Sequence, residues 1–456
     1  MKMKFKTNFD PMFRPMILEY GDYEKEVNKS ERKTLSFMIE RNDGYNYFRE
    51  YEIFKSGDKK DVNNKMAERF VKTVLWVVGG YKIYISGDYN VYRYLKEAYT
   101  ENGIRSFDKG FMEQVYEKPF EVIYVKDKKD FPAIKSCSLP VGGHLEGCRI
   151  GFDAGGSDRK VSAVVDGKVV YSEEVVWSPK LHSDPSYHYG EIMKALKTAA
   201  SKMPKVDAIG VSSAGVYINN KIMVASLFIK VNKDDYKKHV QTMYIDIAKE
   251  LGGIPLEVAN DGDVTALAGS IDLNDNEVLG IAMGTSEAVG YINSNGGLNG
   301  WLSELAFVPV DYNENAMKDE WSGDYGCGVK YFSQDGVIKL AENGGYKFGE
   351  GLSPAEKLKV IQNLMKNGDP FAKKIYEDIG VYLGYTLPYY ALFYDIKHVL
   401  ILGRVTSGEG GTVILEKAEE VINSEFPELK LRIEMPDENS RRVGQSIAAA
   451  SLPKIN

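Results

Sequence analysis

The chain has 456 residues, 43% of them hydrophobic and 27% charged, with a net charge of −7. At about 150 residues per domain this predicts two to four domains, each long enough to bury a core. The acidic balance excludes the basic footprint of a nucleic-acid binder. Three cysteines (Cys137, Cys148, Cys327) cannot frame a disulfide scaffold in a chain this long and fit a reducing compartment. MKMKFKTNFDPMFRP has no apolar segment behind it, so no secretory signal is expected. The run VLWVVGG is too short to span a bilayer. A cytoplasmic protein without membrane or nucleic-acid partners is the expectation.

Residues 1–146 carry mixed charge, a central β-like piece VLWVVGGYKIYISG and a helix pattern in YNVYRYLKEAYTENG. They read as an α/β accessory domain, closed by a boundary in KDKKDFPAIKSCSLPVGGHLEG. From about Gly147 strands and helices alternate. CRIGFDAGGSDRK is an apolar strand entering a glycine turn. Two β-rich runs follow, joined at Asp166-Gly167, a pair suited to a hairpin turn. HYGEIMKALKTAASKM has helical spacing, VDAIGVSSAGV is a buried strand, and DDYKKHVQTMYIDIAKELGG is a helix leading to strand PLEVAND and the small-residue helix of VANDGDVTALAG. NEVLGIAMGTSEAVGYINSNGGL then repeats the strand–glycine turn–strand pattern. Helices over 353–366 and 369–393, strand HVLILG, a glycine loop, a helix from 411, strand LKLRIEMP and helix RRVGQSIAAAS complete the chain. The repeated opening predicts two lobes related by duplication, 147–275 with helix 439–452 packing back on it, and 276–438.

Four stretches could carry chemistry. In DAGGSDRK, Gly155, Gly156 and Ser157 would let backbone amides approach a phosphate, and Asp153 could hold Mg²⁺ through water; a tight hairpin turn explains the same letters. Gly284 and Thr285 in MGTSEAVG offer a matching turn. GRVTSGEGG, from Gly403 through Gly408 to Gly411, follows a strand and could lie against a base or ribose, although any strand-to-helix connection needs glycine. None of these is a P-loop or a dinucleotide fingerprint. In VANDGDVTALAG, Asp261 could take a proton from an attacking hydroxyl, while Asp261 or Asp263 could instead cap the helix. Ser212, Ser213 and Gly215 end a strand beside this stretch. The five histidines show no metal spacing.

In order along the chain, these motifs resemble the actin-like ATPase superfamily, and within it the ROK family of repressors, open reading frames and kinases, over roughly 148–456. The resemblance implies an α/β, two-lobed, actin-like (ribonuclease H-like) ATPase fold with duplicated lobes. It implies Asp153, Gly155, Gly156 and Ser157 as the first phosphate motif, Gly284 and Thr285 as the second, and Gly403 with the loop through Gly408 to Gly411 as the adenosine motif. It implies Asp261 as catalytic base and Asn260 as a contact to sugar hydroxyls. GWLSELAFVPV is similar to the family's Gly-Glu-x-Gly-His region, which puts Glu304 on a sugar-contacting glutamate. Apart from the resemblance, Ser213, with Ser212 and Gly215, could contact substrate, while small residues at that strand end could equally serve only to relieve crowding.

The departures are as informative. Phe307 stands where the family has His, and the zinc loop is reduced to DYGCGVKY with Cys327 alone, so no structural zinc is expected. Gly328-Val329-Lys330 replaces an expected glutamate, which makes glucose a poor candidate, and EWSGD (Glu320 to Asp324) is either a source of new polar contacts or a surface turn with a packed Trp. The function expected is an ATP- and Mg²⁺-dependent kinase acting on a hydroxyl of a sugar-like small molecule. The alternatives are a sugar-responsive transcriptional regulator and a nucleotide-binding protein without phosphotransfer. A homodimer is compatible with any of these.

Overall fold

The computed structural model describes residues 2–55, 57–136, 142–436 and 438–455, and the backbone alone for 58 and 438–443. The expected boundary falls partly on 137–141, so that part of it, with Cys137, lies outside the described residues. The chain divides into two compact units. One comprises Met1–Cys137, Ile281–Val289 and Gly300–Met435; the other comprises Ser138–Gly280, Gly290–Asn299 and Pro436–Asn456.

The second unit is built on a five-stranded sheet in the order Leu256–Asn260, Ala208–Ser213, Cys148–Ala154, Asp158–Val165, Lys168–Val176. The first three strands are parallel and the last two are added as antiparallel hairpin partners. Asp166 and Gly167 both take positive φ (45° and 76°), the pair of values that a two-residue hairpin turn needs. The strand Ala208–Ser213 is buried along its whole length, as expected for a parallel strand covered on both faces. On one face Ile150, Phe152, Ile209 and Val211 pack with Ile192 and Leu196 of helix Pro185–Ala200. The other face is lined by glycines. A Cβ on Gly151 would stand 1.8 Å from Ser446 O, and one on Gly210 would stand 1.6 Å from Ala449 O, so helix Glu438–Ala450 lies directly on the strand backbone. The expected helix over 234–253 is interrupted: a π turn at Tyr236–Val240 separates Lys233–Asp235 from Met243–Glu250.

In the first unit, residues before 137 form a four-stranded sheet, order Asn46–Phe54, Arg32–Glu40, Lys82–Ser86, Glu121–Tyr124. The β structure expected over VLWVVGG is not there: these residues end the helix Lys60–Val78, and only KIYIS is a strand. The second half of the helix is enclosed, with Ala67, Phe70, Val71, Val74, Leu75, Trp76, Val77 and Val78 all at 0% exposure, so this end is apolar on all sides and the five letters VLWVV are too few to show a helical period. A run of valines without that period reads as a strand. A further sheet runs in the order Glu287–Ile292, Val278–Met283, His398–Leu402, Arg432–Glu434, its first two strands being where the chain changes unit. Helices Pro370–Tyr390 and Glu409–Glu425 pack closely at Gly380 and Gly384, where a Cβ would meet Ile414 O and the Val421 side chain.

Candidate active site

The C-terminal ends of parallel strands are where open α/β sheets place ligands, and in the second unit the candidate residues gather there. In-register pairing sets Asp153 beside Ser212 and Ala154 beside Ser213, with Ser213 in turn beside Asn260. Ser212 Oγ donates to Asp153 Oδ1 at 3.0 Å. Burial pushes the Asp153 carboxyl up to about 6; Lys160 on the paired strand opposes the rise and the Asp261 charge adds to it. Asp261 opens helix Asp261–Leu273 and is itself raised by burial, against the amides of Gly262 and its own residue. The Asp261 charge thus reaches Asp153, and two carboxylates placed this way can share the work of holding a cation and accepting a proton.

The helix cap is neither carboxylate. Asn260 is the N-cap, its Oδ1 accepting from Gly262 N at 2.7 Å. Its Nδ2 donates to Gly215 O at 2.7 Å, so the amide keeps one N–H and one lone pair for anything else. Asp263, expected as the cap, takes the Tyr291 amide instead and is pushed up to about 7 by burial. Gly290 explains the tight fit: a Cβ there would stand 2.2 Å from Gly262 O. Ser213 is fully buried and its hydroxyl accepts from Tyr244.

The two glycine turns differ in what they require. A Cβ on Gly155 would lie 2.7 Å from Asp158 O, so this glycine serves the hairpin itself. Gly156 and Gly284 have no such constraint; the nearest atoms to an added Cβ are 3.4 Å and 3.7 Å away, and Gly156, Ser157 and Thr285 are exposed while Gly284 is half-buried. Their missing side chains face open space, which suits the close approach of an anion to backbone N–H groups. The atoms at 3.4 Å from Gly156 belong to Lys180, a cation the sequence reading missed because it lies 24 residues away in an exposed loop without a motif.

In the first unit Gly284 and the late glycine loop come together. Gly403 has φ +103°, and a Cβ would stand 2.4 Å from Met283 O, the residue before Gly284. Val405 N donates to that same carbonyl at 3.0 Å. Gly408 has φ +74° and open space around it at the start of helix Glu409–Glu425. The arrangement offers a flat backbone surface beside the Gly284-Thr285 turn.

Glu304 lies in the same unit, half-buried, just before the short turn Leu305–Phe307. Beneath it Glu287, at 3% exposure, is pushed up to about 8, by burial first and by the Glu304 charge second, with Tyr390 opposing. Phe307 packs on Trp76, ring centroids 4.3 Å apart. The packed Trp expected in EWSGD is not there: Trp321 is 59% exposed, while Asp324 is buried among Arg69, Lys72 and Arg105. Burial pushes the Cys327 thiol up to about 11, and it lies 4.0 Å from Lys72 Nζ. Among the described residues no group of three or more His, Cys, Asp or Glu is arranged to hold a metal ion. An Mg²⁺ carried on phosphates asks for less, one or two carboxylates, and Asp153 fits that need. No helix among the described residues is long and apolar enough to cross a membrane.

A family model described as ROK family matches residues 149–449. Among solved structures the chain is similar to a ROK hexokinase from Thermus thermophilus (15% identity, TM-score 0.52, covering 67% of this chain and 97% of that one). It is similar to a ROK family glucokinase from Streptomyces griseus in complex with glucose and AMPPNP (20%, TM-score 0.50, 67% and 99%). It is also similar to a ROK family transcriptional regulator, a homolog of the E. coli MLC protein (17%, TM-score 0.54, 68% and 79%). No curated protein matches the sequence.

Proposed function

The chain belongs to the ROK family and has the two-lobed actin-like ATPase fold of that family, and from that premise we propose that it is a cytoplasmic ATP-dependent kinase acting on a hydroxyl of a sugar or sugar-like polyol. The observation that carries this reading is that Asp261, just after strand Leu256–Asn260, and Asp153, in strand Cys148–Ala154, lie at the same ends of two parallel strands that flank Ala208–Ser213, near enough for the Asp261 charge to raise Asp153. Asp261 takes the proton of the acceptor hydroxyl as that oxygen bonds to the terminal phosphorus of ATP. The bond from that phosphorus to the bridging oxygen breaks, and ADP leaves with the electron pair. Asp153 would hold Mg²⁺ through water, and the ion when bound offsets the charge on the phosphates. In the second unit the amides around Gly156, with Lys180 adding a charge beside the turn, suit phosphate oxygens; in the first unit the amides around Gly284 do the same and Gly403 to Gly408 suit the adenosine.

Glu304 in the first unit and the free N–H of Asn260 in the second are each suited to contact an acceptor hydroxyl. The Streptomyces griseus protein was solved with glucose and a nucleotide analogue, which supports the pairing of ligands. Phe307, in place of an imidazole, presents an apolar surface packed on Trp76, so the acceptor differs from glucose where that imidazole would bind. Similarity to a regulator favours a second reading, in which the chain senses a sugar. The N-terminal region is a four-stranded sheet with one parallel pair and the whole chain is acidic, which suits DNA poorly.

A coupled ADP-release screen across sugars, amino sugars and polyols tests the kinase reading. Asp261→Asn should lower kcat by about 10²- to 10⁴-fold, the usual worth of a general base, and leave ATP affinity within about twofold. Unchanged turnover in that variant overturns it.

A further inference from the structure

Helix Lys60–Val78 ends against the segment that carries Glu304. The amides of Leu302, Ser303 and Glu304 donate to the carbonyls of Val78, Val77 and Trp76 at 3.2, 2.9 and 3.1 Å. Last-turn carbonyls have no partner within their own helix, and here three consecutive ones are taken by three consecutive amides. Ser303 adopts φ +51° to follow them, a left-handed backbone that costs a residue with a Cβ and persists only where its surroundings hold it.

The same helix holds the far end of the segment. Arg69, Lys72 and Trp76 follow one another at spacings of three and four, which puts them on one face. Arg69 Nη1 and Lys72 Nζ reach Asp324 Oδ2 at 3.0 and 2.6 Å, and Arg105 Nη1 joins at 2.8 Å. Burial alone would raise Asp324, but Lys72, Arg69 and Arg105 together hold it well below the usual carboxylate range. Trp76 Nε1 donates to Asp108 Oδ1 at 2.6 Å, and the Trp76 ring packs on Phe307, with Phe107 and Phe111 around it. Glu304 at one end and Asp324 at the other are therefore fixed to one buried helix surface.

We propose that helix Lys60–Val78 sets the place of the Glu304 carboxylate, so that Trp76 is a positioning residue for the acceptor and the region before residue 137 is a working part of the acceptor site. This rests on the reading of Glu304 as an acceptor contact. Trp76 touches no substrate itself. It acts through the Glu304 amide bonded to its carbonyl and through the Phe307 ring against its indole.

The test uses the full chain with Trp76→Leu and the milder Trp76→Phe, which keeps a ring and loses the N–H to Asp108. With Trp76→Leu the acceptor KM should rise 10- to 100-fold, the range that a displaced binding group produces. The ATP KM should stay within twofold, and Trp76→Phe should give a smaller rise of the same kind. Amide hydrogen exchange at 302–304 should quicken at least tenfold in Trp76→Leu, with the amides of 258–263 unchanged. Acceptor and ATP KM moving together, or exchange at 302–304 as slow as in the wild type, would overturn the proposal, since a merely structural tryptophan gives that pattern. Absence of polyol-dependent ADP release in the wild type sinks the kinase reading instead. Exchange needs no turnover, so it still decides whether the helix orders this segment.

Discussion

Glu287→Gln should make the protein more stable at alkaline pH and leave it little changed near pH 5. The carboxyl of Glu287 is buried beneath Glu304 and is pushed up to about 8 from an ordinary 4.5. Between those values the native state keeps a proton that the unfolded chain has released. Stability therefore falls as pH rises through this window, by up to about 1.4 kcal/mol per pH unit for one group. Between pH 5 and pH 8 the sum is about 3 to 4 kcal/mol, large beside a typical domain stability of about 5–15 kcal/mol. Glutamine is neutral throughout and escapes the loss. Asp263 and Glu257, each pushed up to about 7, slope the same way but are common to both proteins, so the difference between them isolates Glu287. Urea unfolding followed by near-ultraviolet circular dichroism at pH 5 to 9 measures it, on the transition that unfolds the first unit. A gap that stays constant with pH, or that widens toward acid, refutes the reasoning.

Gly403→Ala forces a Cβ to within 2.4 Å of Met283 O at φ +103°, so the loop beside Gly284 must shift; we expect ATP KM to rise tenfold or more with acceptor KM within threefold, by steady-state kinetics. Gly210→Ala places a methyl 1.6 Å from Ala449 O and should lift helix Glu438–Ala450 off the sheet, lowering stability of the second unit by more than about 2 kcal/mol in urea melts; a variant as stable as the wild type would refute the contact.

The features legible in the sequence are those set by local stereochemistry. Asp166-Gly167 announced its hairpin because both residues must take positive φ, and the strand ends at Asp153, Ser213 and Asn260 followed from apolar runs meeting small and polar residues. The features that misled are set by tertiary surroundings. The end of helix Lys60–Val78 reads as a strand because VLWVV is covered on every side and is too short a window to show the helical period. The cap fell to Asn260 rather than Asp263 because the helix begins at Asp261, flush with the strand end, and Tyr291 claims the later carboxylate. Lys180 reaches Gly156 across a loop, and Asp324 meets Arg69 and Lys72 from more than 250 residues away. No short window of sequence holds either meeting. The exposed Trp321 shows the converse, an aromatic residue that suggested packing where the fold leaves it in water.

The lining of Gly151 and Gly210 by the carbonyls of Ser446 and Ala449 has a consequence for how the molecule is made. The chain changes unit five times, and its last change returns residues 444–455 to strands that left the ribosome about 240 to 300 residues earlier. Arg149, with no exposed surface, waits for the same arrival, because its guanidinium donates to Ala450 O and Pro453 O. Until residues 444–455 have been made, one face of that sheet is bare backbone and glycine, with the Arg149 guanidinium still in solvent. The second unit is thus begun before most of the first and closed only after Met435, and in between it exposes a face that can pair elsewhere.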